Sequence, residues 1–79
     1  MLTLELLKLT KEYVQYKFFP EDDKDNFGIV QVNRKDHEDC LIIQDAKDVS
    51  SVYRRMAIFR VRKLVYDGDF PKTSACAWG

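Results

Sequence analysis

The sequence predicts an α+β domain: an antiparallel sheet of three to four strands in a meander, with one long C-terminal helix packed across one face. Three observations predict it. Residues 48–66, DVSSVYRRMAIFRVRKLVY, are the longest stretch that reads one way, with apolar residues at helical spacing. YVQYKFF, FGIVQVN and CLIIQ are short, rich in aromatic and β-branched residues, and largely alternating. Between them lie EDDKDN and RKDHED, acidic segments that are most cheaply left in water as turns.

Taken in order, residues 1–9 (MLTLELLKL) alternate through Leu2, Leu4 and Leu6, which favours a strand. Leu7 and Leu9 then shift the apolar face by one, a slip that marks a bulge or a turn. A helix would instead place Leu2, Leu6 and Leu9 together. Thr10-Lys11-Glu12 connects to a strand over 13–19, although it lacks the glycine or asparagine of a favourable two-residue hairpin. Val14, Tyr16 and Phe18 share one face of that strand, and Pro20 ends it. The next strand, 27–33, turns Val30 and Val32 inward, with Gly28 marking a bulge or a close approach. Cys40–Gln44 is a short strand, at an edge or beneath the helix.

For the helix, Asp48 and Ser50 both qualify as N-caps, and neither forms a capping box because Ser51 and Tyr53 stand three residues on. Gly68 is suited to the left-handed position that closes a helix, and Pro71 opposes continuation. The helix therefore spans 50 to 66 or 67. At 100° per residue its apolar side chains form two groups. Tyr53, Ala57, Val61 and Leu64, widened by Ile58 and Val65, face the core. Val52, Met56, Phe59 and Tyr66 form a second group, separated from the first by Arg55 and Arg62 on one side and interrupted by Arg60 and Lys63 on the other. Either arginine and lysine stems and the tail cover this second group, or another chain does. Residues 72–79, KTSACAWG, have no regular pattern; Trp78, one residue from the end, is expected to be tied down by burial.

The chain's 79 residues make one domain, 1–79, without a linker. At this size roughly 60% of the unfolded chain's surface can be buried, so the core is modest. Aromatic residues are 13% of the chain, which opposes disorder. Thirteen basic residues balance 13 acidic ones, so there is no global attraction for nucleic acid or an anionic membrane. The charge is nonetheless unevenly placed. Residues 49–66 carry five cations and no acid, whereas 21–25 and 36–39 carry seven acids and one lysine. These can attract one another within a chain or across a symmetric pair. No apolar run has membrane-spanning length, no secretory leader is read at the start, and two cysteines make no disulfide framework. A cytoplasmic location with free thiols is expected.

Chemistry is sought and mostly missing. His37 stands among Asp36, Glu38 and Asp39, without the spacing of a zinc or calcium site. Cys40 reads as a small core residue. Cys76 would need a base or a cation nearby to act as a nucleophile. There is no CxxC, phosphate loop or nucleophile elbow. No cofactor, metal or catalytic residue is expected. Nucleic acid is the alternative function class: Arg54, Arg55, Arg60, Arg62 and Lys63 could contact phosphates, but they circle the helix instead of lining one face. Tyr13, Tyr16 and Phe19 would be the stacking platforms of a single-strand binder.

FFPEDDKDNFGIV, the helix followed by DGDFP, and the ending AWG together resemble short uncharacterised proteins from Gram-positive bacteria and their phages, which carry an aromatic–Pro–Glu turn and a terminal Ala-Trp. The resemblance covers most of the chain. It implies a small bacterial or phage protein, with no activity and no site residue to carry over. The expectation is an accessory or protein-interaction protein that forms a homodimer, with Val52, Met56, Phe59 and Tyr66 at its interface.

Overall fold

Alternating sequence becomes paired backbone in the order β4-β3-β2-β1-β5, with every neighbouring pair antiparallel. The computed structural model describes residues 1–77: β1 (Leu2–Leu9), β2 (Tyr13–Pro20), β3 (Gly28–Asn33), β4 (Cys40–Gln44), α1 (Ser51–Asp67) and β5 (Thr73–Cys76). The α+β class and the meander with a helix across one face hold. The expected count of three to four strands is corrected to five, and the helix is followed by a strand. β5 leaves no alternating hydrophobic pattern because it pairs with β1 at the sheet margin through small residues, with only Cys76 buried. The expectation for Trp78 falls outside the described residues.

The first residues form a strand and not the alternative helix, and the slip in their pattern is a bulge. Leu6 pairs with Tyr16 and Lys8 with Gln15, so Leu7 is the extra, exposed residue of a bulge. The β1–β2 connection works without glycine or asparagine. The Thr10 hydroxyl accepts hydrogen bonds from the Glu12 and Tyr13 N–H groups, and the Thr10 N–H bonds the Tyr13 carbonyl.

One face of the sheet is the core. Leu2 and Leu4 of β1, Val14, Tyr16 and Phe18 of β2, and Val30 and Val32 of β3 are all buried there. Ala57, Val61 and Leu64 of α1 pack onto them, three of the four residues of the main stripe. Each fully buried large apolar side chain contributes about 1.5–3 kcal/mol, and Phe18, Leu2 and Leu4 are among the largest. Cys40 and Ile42 sit partly buried at the margin.

The helix ends follow their capping residues. The Ser50 hydroxyl accepts from the Val52 N–H, so Ser50 is the N-cap; Asp48 instead takes a left-handed turn at φ 57°. At the other end Gly68 has φ 70°, its N–H bonds the Val65 carbonyl, and the Asp69 N–H reaches the Leu64 carbonyl. Space is open around Gly68, so only backbone strain opposes a side chain there. Gly68→Ala should cost about 1 kcal/mol and Asp48→Gly should gain about 0.5 kcal/mol in urea unfolding.

The second sheet face is partly covered by the β2–β3 connection. Glu21 and Asp22 take left-handed conformations, and the Asp23 N–H bonds the Pro20 carbonyl, turning the chain back over the sheet. Phe27 then lies 5.7 Å from Phe19, ring centre to ring centre, and the Lys24 ammonium sits 4.3 Å from the Phe19 ring centre. Phe19 is only 4% exposed as a result. Lys24 also pairs with Glu5 and Asp22, and the Thr3 hydroxyl donates to Asp22.

Candidate interaction surface

The second apolar group of α1 divides in the structure. Met56 packs against the core and Val52 is half-buried. Phe59 and Tyr66 stay 60% and 76% exposed. The His37 ring meets Tyr66 edge-on at 5.6 Å. His37, Phe59, Arg62, Lys63 and Tyr66 line a shallow cavity of about 270 Å³. A second cavity of about 270 Å³ adjoins it through Phe59 and Lys63, with Met56, Arg60, Cys76 and Ala77 completing its walls. Three aromatic rings therefore gather near the C-terminal half of α1, one supplied by the β3–β4 turn.

The cations around these rings are mostly engaged within the chain. Arg54 pairs with Asp45 at 2.7 Å, directly after β4. The Arg62 Nε–H donates to the His37 carbonyl at 3.0 Å, and Arg62 lies 3.8 Å from Glu38. Lys63 pairs with Asp67 at 3.4 Å. Arg60 donates to the Ala75 carbonyl at 2.9 Å and to the Cys76 sulfur at 3.2 Å. Of the five helix cations, only Arg55 has no such contact among the described residues. Exposed ion pairs of this kind contribute little stability individually. Their use here is orientation: Arg54 and Arg62 tie the two ends of α1 to opposite ends of β4, so helix and strand run antiparallel.

The three candidate stacking platforms are not available together. Tyr16 is buried, its hydroxyl donating to the Pro71 carbonyl at 2.6 Å. Phe19 lies beneath Phe27 and Lys24, and only Tyr13 remains partly accessible. Tyr53 donates a hydrogen bond to Glu21, and Glu21 also pairs with the Met1 ammonium at 3.3 Å. The Tyr53 contact foremost, then that ammonium, lowers the Glu21 pKa, while Glu21 raises that of Tyr53. The stabilisation from Glu21 is present above the ordinary carboxylate pKa and lost as pH falls through the depressed folded value.

Cys76 is buried and Cys40 partly buried; they form no disulfide. Among the described residues, no cluster of three or more His, Cys, Asp or Glu side chains could hold a metal. No helix among them is long and apolar enough to cross a membrane.

Two features of the surface are settled only by the fold, and the first of them had no signal in the sequence. The first is the treatment of the β5 edge. The Leu6 N–H bonds the Lys72 carbonyl, so by antiparallel alternation the Ala75 backbone groups point outward, where Arg60 covers the carbonyl. The second is the β4 edge. Leu41 is 56% exposed and Ile43 is 49% exposed, which selects the edge position from the two that the sequence left open for this strand. A comparison with known proteins finds no matching family model, no matching curated protein and no matching solved structure.

Proposed function

We propose that the protein is a non-catalytic interaction domain that works as a homodimer. The observation that carries this reading is the apolar surface left in water after α1 has covered the sheet: Phe59 and Tyr66 on the helix, Leu41 and Ile43 at the sheet edge. In a chain this short, four large side chains withheld from a modest core are a substantial loss unless another surface covers them. A second copy is supported by charge. Arg54, Arg62 and Lys63 each have a carboxylate partner in their own chain, which lowers the repulsion between two such surfaces. With Arg60 bonded to Ala75, this leaves Arg55 as the one helix cation without a contact of this kind among the described residues.

The same pairing weighs against the nucleic-acid alternative, because phosphate contacts would first have to displace those acids. Fluorescence anisotropy with generic DNA and RNA at low salt is expected to show no binding; tight, salt-dependent binding would reverse the order of the two readings. The dimer is tested by light scattering on a sizing column over a wide range of protein concentration. A mass near twice the 9.3 kDa monomer is expected. A constant monomer mass would overturn the reading.

A further inference from the structure

We infer that the dimer forms by antiparallel pairing of β4 with β4 of a second copy, in the register that places Cys40 opposite Ile42 and Leu41 opposite Leu41. This rests on the homodimer reading and assigns its contact to the sheet-edge part of the exposed apolar surface, Leu41, rather than to Phe59 and Tyr66 of the helix.

The backbone alternation shows that the edge is open. The Asn33 N–H bonds the Asp39 carbonyl, which makes Asn33 and Asp39 a hydrogen-bonded pair. Gln31 and Leu41 follow as the next such pair, so the N–H and C=O groups of Cys40 and Ile42 point away from β3. Among the described residues, nothing else bonds to them. The opposite margin differs, since Arg60 caps the outward Ala75 carbonyl there. Natural edges are blunted by charge, proline, bulges or cover. β4 carries no charge and no proline, and its bulge at Ile43 leaves residues 40–42 regular.

The register follows from what meets what. Pairing Cys40 with Ile42 of the second copy, and the reverse, forms four backbone hydrogen bonds from the four outward N–H and four outward C=O groups. Leu41 then meets its own copy at the twofold axis, in a pair not bridged by hydrogen bonds, where side chains approach closest. This covers the exposed leucine and extends the outer-face row that Leu41 begins with Gln31 and Gln15.

Charge complementarity selects a second copy as the occupant. In this register Asp39 faces Ile43, Glu38 faces Gln44 and His37 faces Asp45, so no acid directly opposes an acid. One end of β4 holds the Asp45–Arg54 pair and the other holds Glu38–Arg62. The twofold axis sets the first pair of one copy beside the second pair of the other, so at each end of the junction Asp45 and Glu38 keep an arginine of their own chain beside them. Shifting to the symmetric register centred on Ile42 would instead oppose Asp39 to Asp45.

Directed crosslinking tests the pairing. In a Cys40→Ala background, Leu41→Cys places two thiols across the axis within disulfide reach, whereas Ile43→Cys places them four residues out of register. Under oxidised glutathione, Leu41→Cys is expected to form covalent dimer more than about tenfold faster than Ile43→Cys, and only while folded. Leu41→Lys should shift the scattering mass to monomer with an unchanged circular dichroism spectrum. A wild-type dimer whose Leu41→Cys variant crosslinks no faster than Ile43→Cys would overturn the strand pairing while leaving the dimer intact. A split by Phe59→Asp would then assign that dimer to the helix face. A wild-type monomer would overturn the dimer reading itself.

Discussion

Gly28→Val is expected to lower the unfolding free energy by about 3 kcal/mol, most of what a domain of this size holds. The reason is a close approach across the β2–β3 pair, where Gly28 lies opposite Phe18. A Cβ built on Gly28 would run into the end of the Phe18 ring and would stand 2.8 Å from the Gln44 carbonyl oxygen. Neither neighbour can yield cheaply. Phe18 is fully buried, and Gln44 is held by its pairing with Ile29. The backbone of Gly28 needs no positive φ, so the effect is one of space alone. That makes a rescue possible. Gly28→Ala combined with Phe18→Leu, which removes the offending ring edge, should cost clearly less than the two single losses added together, measured by urea unfolding at fixed protein concentration. Simple additivity would show that the ring contact is not the cause.

Raising the pH above 10 should destabilise the protein through Tyr16. Burial first, and the nearby Asp69 charge second, push the Tyr16 hydroxyl up to about 12 from its ordinary 10.0. Between those values the unfolded chain has released the proton and the folded chain has kept it. Stability attached to the neutral phenol is therefore complete below pH 10 and is lost as pH rises towards the folded value. The loss is of order 2 kcal/mol. Tyr16→Phe should reduce this alkaline decline and cost about 1–2 kcal/mol at neutral pH, because the Pro71 carbonyl loses its donor. The bond reaches from the second strand to the segment between α1 and β5, so the variant should also speed amide exchange in Thr73–Cys76. A variant with the wild-type alkaline decline would show that Tyr16 does not govern it.

These two residues show how far local pattern reaches. Gly28 stood out in the sequence as a bulge or a close approach, and the structure selects the approach. Tyr16 was legible as inward-facing, but its bond to Pro71 joins residues 55 apart and leaves no local trace. The split of the second helix group has the same origin. Helical spacing groups Met56 with Phe59 and Tyr66, whereas the packing of α1 on the sheet brings only Met56 against the core and leaves Phe59 and Tyr66 exposed.

By itself, the sequence determined the strands over 13–19, 27–33 and 40–44, the helix with Gly68 at its end, and the stripe through Ala57, Val61 and Leu64; it favoured a strand over 1–9 without excluding a helix, and left Asp48 and Ser50 both open as the N-cap. Each depends on neighbours within a few residues, where side-chain period, capping and turn chemistry act directly. The tertiary structure alone decided that Thr73–Cys76 forms a fifth strand, that the 21–27 connection shields Phe19, that Arg60 covers the Ala75 carbonyl at one edge, and that β4, not a covered strand, lies at the other. Those outcomes are set by which distant segments meet once the sheet has assembled, and local side-chain period does not encode those meetings.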